Sequence, residues 1–99
     1  SYSEPAKFPS VRRDLSLLLE SGIDFEKIRQ VAFSAERKLL KEVALFDVYE
    51  GKNLPEGKKS YAVSFTFRDQ NKTLTDKQVD KIMGKLQREF EKQLKAELR

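Results

Sequence analysis

From Arg13 to Glu20 the residues Leu15, Leu17 and Leu19 fall on one parity and Asp14, Ser16 and Leu18 on the other, the two-residue period of a β-strand. The period then changes. Asp24 stands where a helix N-cap belongs, Ile23 and Ile28 are spaced as a hydrophobic staple, and Ile28, Val31, Ala32, Ala35 and Leu39 predict one buried helical stripe. Val43 to Glu50 reads as a second strand and Lys58 to Arg68 as a third, joined by the Gly- and Pro-containing stretch Gly51 to Gly57. In the third strand Tyr61, Val63, Phe65 and Phe67 alternate with Ala62, Ser64, Thr66 and Arg68, so one face is large and apolar and the other small and polar. Thr75 with Gln78 is a capping box, Leu74 with Val79 a staple, and Val79, Ile82, Met83, Leu86 and Phe90 form a second helical stripe. Lys95 to Arg99 is long enough only for a final short strand.

The order strand, helix, two strands, helix, strand predicts an α+β, ferredoxin-like split βαββαβ sandwich: a four-stranded antiparallel sheet with both helices on one face and the other face open. Strand parity assigns Ser16, Asp47, Tyr49, Ser64, Thr66, Arg68, Lys95 and Arg99 to the open face, with Arg12, Lys58 and Lys59 at its margins. It also leaves Leu18 and Leu45 on that face and sends Phe46 into the core with Phe65 and Phe67.

A chain of 99 residues builds one core and acts as a module. Glu4, Pro5 and Pro9 make residues 1–12 read as an interdomain linker or N-terminal arm and 13–99 as the domain, so a longer parent is expected. With no Cys and no His, disulfides, thiolate nucleophiles, imidazole ligands and the commonest general base are absent, and neither a catalytic nor a metal site is predicted. No apolar run reaches the roughly 20 residues that span a bilayer, which makes a cytoplasmic protein without a membrane partner the expectation. The formal charge of +4 fits a polyanionic partner without requiring one.

Several activities share this architecture, so particular residues must choose among them. An acylphosphatase-type enzyme needs an anion-binding Gly-rich loop with Arg after the first strand; Glu20-Ser21-Gly22-Ile23 offers one Gly and no Arg. An amino-acid-binding regulatory domain has weaker signatures and is less easily excluded. Lys59-Ser60-Tyr61-Ala62 begins like an RNA-recognition motif. Turning Tyr61 outward would, however, turn Phe65 and Phe67 outward too, at about 1.5–3 kcal/mol for each aromatic unburied. Packing overrules that motif.

Four segments taken in order resemble the signatures of the ferredoxin-fold anticodon-binding domain: Phe8-Pro9-Ser10-Val11-Arg12-Arg13-Asp14-Leu15, Leu45-Phe46-Asp47-Val48-Tyr49-Glu50-Gly51, Gly57-Lys58-Lys59-Ser60 and Thr73-Leu74-Thr75-Asp76. Glu97-Leu98-Arg99 fits as well. That family ends the β subunit of bacterial phenylalanyl-tRNA synthetase and also the single-chain organellar enzyme. The resemblance implies a domain that binds the anticodon stem-loop of phenylalanine tRNA and performs no chemistry. It further implies partners in the other domains of the β subunit and in the α subunit of an α2β2 heterotetramer. By the same resemblance ATP and magnesium are expected in the parent enzyme, and no cofactor in this domain.

The candidate RNA-binding residues are Arg12, Arg13, Ser16, Tyr49, Lys58, Lys59, Ser64, Thr66, Arg68, Lys95 and Arg99: basic groups for phosphate, small polar groups that let bases approach, and one ring for stacking. Each has a plainer rival role. Tyr49 can cover Leu18 and Leu45, while Arg12, Arg13, Asp14 and Asp47 can form a structural charge network at the strand ends. Lys77, Lys81, Lys85, Arg88 and Lys92 make a basic stripe opposite the apolar stripe of the second helix, where a solvated face is the ordinary explanation. The rival function from another class is a protein-docking or regulatory ferredoxin-like domain without RNA binding.

Overall fold

β1 (Val11–Glu20) and β3 (Lys58–Phe67) pair antiparallel without a break from Val11 opposite Phe67 to Glu20 opposite Lys58. They are the two central strands of a four-stranded sheet ordered β2-β3-β1-β4, in which β2 is Leu40–Tyr49, β4 is Glu97–Leu98 and every pairing is antiparallel. Two helices, α1 (Phe25–Ala35) and α2 (Asp76–Leu94), complete the split βαβ sandwich that the hydrophobic pattern predicts. The computed structural model describes residues 8–98. Most of the expected N-terminal arm, residues 1–7, therefore lies outside the described residues, and β1 begins at Val11, inside the stretch assigned to that arm.

The core forms between the helices and one sheet face. Leu17 and Leu19 of β1 and Tyr61, Val63, Phe65 and Phe67 of β3 meet Ile28, Val31 and Ala32 of α1 and Val79, Ile82, Met83, Leu86 and Phe90 of α2. Phe65 and Phe90 lie with ring centroids 6.0 Å apart in a tilted pair, within the range where aromatic contacts add to simple burial.

Both helix starts form as their sequences dictate. The Lys27 N–H donates to the Asp24 carboxylate at 3.3 Å. At α2 the Gln78 N–H donates to Thr75 Oγ1 at 3.1 Å while the Thr75 N–H donates to Gln78 Oε1 at 2.9 Å, so two otherwise orphaned donors are satisfied reciprocally. The staple residues Leu74 and Val79 are both in the core.

The helix ends differ from expectation. α1 stops at Ala35, and Leu39, expected on its stripe, lies beyond it. Glu36 turns extended, its N–H still donating to the Ala32 carbonyl, and its carboxylate accepts from the Leu39 N–H at 3.1 Å. Leu40 then pairs with Phe67, so β2 starts three residues before the expected Val43. Leu39 still packs against the core, and its carbonyl accepts from the Arg68 N–H at 2.9 Å. α2 ends at Lys95, the one described non-glycine residue with positive φ, at 56°.

The capping box makes α2 the testable joint of the sandwich. Thr75→Ala removes one half of a reciprocal cap, and the expected cost is about 0.5–2 kcal/mol. An unfolding midpoint in urea that matches the parent chain would show that the cap does not contribute.

Candidate nucleic-acid interface

The side of the sheet away from the helices is built row by row from the pairing register. Arg12, Thr66 and Glu42 form one row; Asp14, Ser64 and Ala44 the next; then Ser16, Ala62 and Asp47; then Leu18, Ser60 and Tyr49. Glu97 of β4 joins the last row beside Leu18. The two central strands thus present mainly small side chains here, a shallow floor on which a planar group can approach the backbone.

β2 does not follow simple parity, because its register shifts between Leu40 and Glu42 and again between Leu45 and Asp47. Bulges of this kind insert an extra residue and re-aim the side chains that follow. Two expectations are corrected by it. Leu45, expected on the open face, pairs with Val63 and packs against the core. Phe46, expected in the core with Phe65 and Phe67, is 54% exposed, and its ring lies under the Arg12 guanidinium, 5.7 Å from ring centroid to Cζ. Beyond the shift Asp47 and Tyr49 are opposite Ala62 and Ser60, on the open face as parity had placed them. The adjacent apolar pair Leu45-Phe46 breaks strict alternation and was the signal available for the bulge.

Tyr49 is 47% exposed. Its hydroxyl reaches back over Gly51, where an added methyl group would come within 2.7 Å of it and push the ring aside. Leu18 is buried at 5% exposure and Leu54 of the β2–β3 loop is buried as well, both outside the main core. Tyr49 stands one strand away from Leu18, across Ser60.

The basic candidates separate into groups. Arg12 lies on the open face and its Nε donates to Asp14 at 3.0 Å. Lys58 is at the end of the same face, with its ammonium 3.6 Å from Glu97. Arg68 follows β3 at the opposite end from Tyr49 and lines a cleft of about 180 Å³ with Lys38, Lys41, Asp69 and Asn71. Lys95 is exposed after α2. Two others are not brought to the open face. Arg13 pairs with Phe65 on the helix side, where it bonds Asp76 at 3.0 Å and approaches Asp80 at 3.9 Å, tying β1 to the first turns of α2. Lys59, opposite Leu19 in the ladder, is 3.8 Å from Glu50. Arg99 lies outside the described residues. Ser16, Ser64 and Thr66 are all on the open face, Ser64 buried and the other two half-buried.

Tyr61 is not part of this surface. It is 5% exposed in the core, and its hydroxyl donates to the Ile23 carbonyl just before the Asp24 cap. Burial, and then the nearby carboxylates of Asp24 and Glu50, raise its pKa above the ordinary value near 10.

A four-stranded sheet with one helix-covered face and one face of small polar residues is the architecture of a split βαβ domain, and the chain belongs to the ferredoxin-fold anticodon binding domain family, which it matches over residues 6–99. Among individual proteins it is 59% identical over 99 residues to the phenylalanine-tRNA ligase beta subunit of Bacteroides fragilis. It is 58% identical over 99 residues to that of Bacteroides thetaiotaomicron and 46% over 98 residues to that of Clostridium acetobutylicum. Each alignment takes in 99–100% of this chain but only 12% of the relative. The chain therefore spans about an eighth of the length of these relatives. No described helix is long and apolar enough to cross a membrane.

The placement of Tyr61 is directly measurable. Tyr61→Phe removes its hydrogen bond, and the expected cost is about 0.5–1.5 kcal/mol at neutral pH. Because the folded pKa is raised, the unfolded chain loses this proton first; the hydroxyl's contribution is complete below about pH 10 and falls as pH rises beyond it. Urea unfolding at pH 8 and pH 10.5 should show the gap between parent and Tyr61→Phe narrowing at the higher pH. A gap that does not change between the two pH values would show that the hydroxyl is not held at a raised pKa in the folded chain.

Proposed function

We propose that this chain is the tRNA-binding domain of a phenylalanine-tRNA ligase beta subunit, holding the anticodon stem-loop of phenylalanine tRNA while aminoacylation proceeds elsewhere in the enzyme. The observation that carries this reading is Tyr49: a half-exposed ring at the edge of a floor of small side chains, in a chain that belongs to an anticodon-binding family. A base stacks on the ring, Ser16, Ser64 and Thr66 leave room for its neighbours, and Arg12, Lys58, Arg68, Lys95 and Arg99 hold phosphates. Arg13 and Lys59 act on the helix side, Arg13 by positioning α2. The parent is a cytoplasmic α2β2 heterotetramer that uses ATP and magnesium, with the residues ahead of β1 leading from the preceding β-subunit domain into this one.

On this reading the basic stripe of α2 does not join the binding face. Lys77, Lys81, Lys85, Arg88 and Lys92 are all exposed on the helix layer, behind the sheet. One anticodon loop cannot be gripped from both sides.

Tyr49→Ala in the full ligase should weaken phenylalanine tRNA binding by about 1–3 kcal/mol. ATP-dependent activation of phenylalanine should stay intact. Replacing Lys81 and Lys85 together by Gln should leave both affinity and its salt dependence nearly unchanged. The reverse pattern, normal affinity in a folded Tyr49→Ala enzyme with a large loss and flatter salt dependence in the double Lys variant, would move the interface to the helices.

A further inference from the structure

Phe46 is a large apolar side chain that contributes nothing to the core. Register alone explains how it comes to be outside: the shift between Leu45 and Asp47 leaves it without an opposite residue and turns it to the face that carries Tyr49. A bulge beside a functional surface commonly serves to re-aim a side chain. The guanidinium of Arg12 lies over this ring, while its Nε is held by Asp14 at 3.0 Å, so the ion pair fixes the arginine against the phenyl group. Arg12 is held from two directions on an exposed surface.

We propose that Phe46 and Arg12 form a second nucleobase platform, taking a base other than the one on Tyr49. This rests on the RNA-binding reading of the same face. Unpaired bases stack on aromatic rings and on guanidinium planes, and here the two stand together, with the Arg12 Cζ 5.7 Å from the Phe46 ring centroid. The attachment points of the two rings, three residues apart on β2, are separated by roughly 10 Å at ~3.3 Å per residue. Bases that remain stacked on each other sit about 3.4 Å apart, so the two platforms suit bases that have been splayed. Ser16 and Ala62, in the row with Asp47, supply the low floor between them. The ligand class is thus a single-stranded loop with at least two unstacked bases, bound along the β2 edge.

The test uses the full ligase and phenylalanine tRNA carrying 2-aminopurine at one anticodon-loop position at a time, with Phe46→Leu, Phe46→Trp, Arg12→Lys and Tyr49→Ala. Phe46→Leu should weaken binding about 5- to 100-fold, and Phe46→Trp should restore it. Arg12→Lys keeps the charge but loses the plane, so it should weaken binding without changing the salt slope. Fluorescence should respond to Phe46→Leu at a different loop position from the one that responds to Tyr49→Ala. Normal affinity in Phe46→Leu with a loss in Tyr49→Ala would overturn the second platform and leave the RNA-binding face standing. Normal affinity in both would overturn the face itself. A loss in Phe46→Leu that Phe46→Trp does not rescue, with altered subunit association in sedimentation, would make Phe46 a protein contact and defeat the inference.

Discussion

Pairing between β1 and β3 positions everything else in this domain. β3 has a neighbour on each side and covers the helices with Tyr61, Val63, Phe65 and Phe67, while Ser60, Ala62, Ser64 and Thr66 look the other way. A slip of one residue would exchange the two sets. Three aromatic rings and a valine would enter water, at about 1.5–3 kcal/mol for each large side chain, and two serines, an alanine and a threonine could not fill the space. The register is therefore not adjustable. Because Ser16 and Asp14 are locked opposite Ala62 and Ser64, the open face inherits its shape from the same demand that builds the core.

What could be read from the chain divides along that line. β1 and β3 are central, and their alternation makes their faces legible except at Leu18, an apolar residue on the open side, and at Lys59, expected at the open margin but opposite Leu19 on the helix side. The caps were legible too, since Asp24 and the Thr75–Gln78 box act within three residues of themselves. β2 was not, because it is an edge strand: only one neighbour constrains it, and a bulge there costs one ladder position rather than two. Its two register shifts cancelled the parity rule for Leu45 and Phe46 but not for Asp47 and Tyr49. The end of α1 was hidden for a related reason. No Gly or Pro follows Ala35; the helix stops because the Glu36 side chain captures the Leu39 N–H and Leu40 gains a partner in Phe67. Those are tertiary events that local spacing does not encode.

Arg12 and Arg13 show how little the residue type alone says about a site. They are neighbours with the same charge, yet alternation sends Arg12 to the open face and Arg13 to the helix layer. Arg13 then finds Asp76 and Asp80, acids in the first two turns of α2, where negative charge also suits the helix dipole. Its role as a strut between layers follows from that geometry.

Charge on the open face is more balanced than the overall +4 implies. Arg12 and Lys58 are each beside a carboxylate, Asp14 and Glu97, and Glu42 and Asp47 point the same way. Exposed ion pairs of this kind contribute only about 0–1 kcal/mol, so RNA phosphates can compete for the cations, but each cation released leaves a carboxylate close to the backbone of the RNA. The attraction that Arg12 and Lys58 exert on a polyanion is therefore partly offset by their neighbouring carboxylates. Stacking does not suffer that penalty, since every base offers an uncharged π face, and carboxylates near it can accept from exocyclic amino groups while repelling misplaced phosphates. A face that combines exposed rings, small side chains and interspersed acids is therefore better suited to selecting splayed bases than to holding a duplex by its charge.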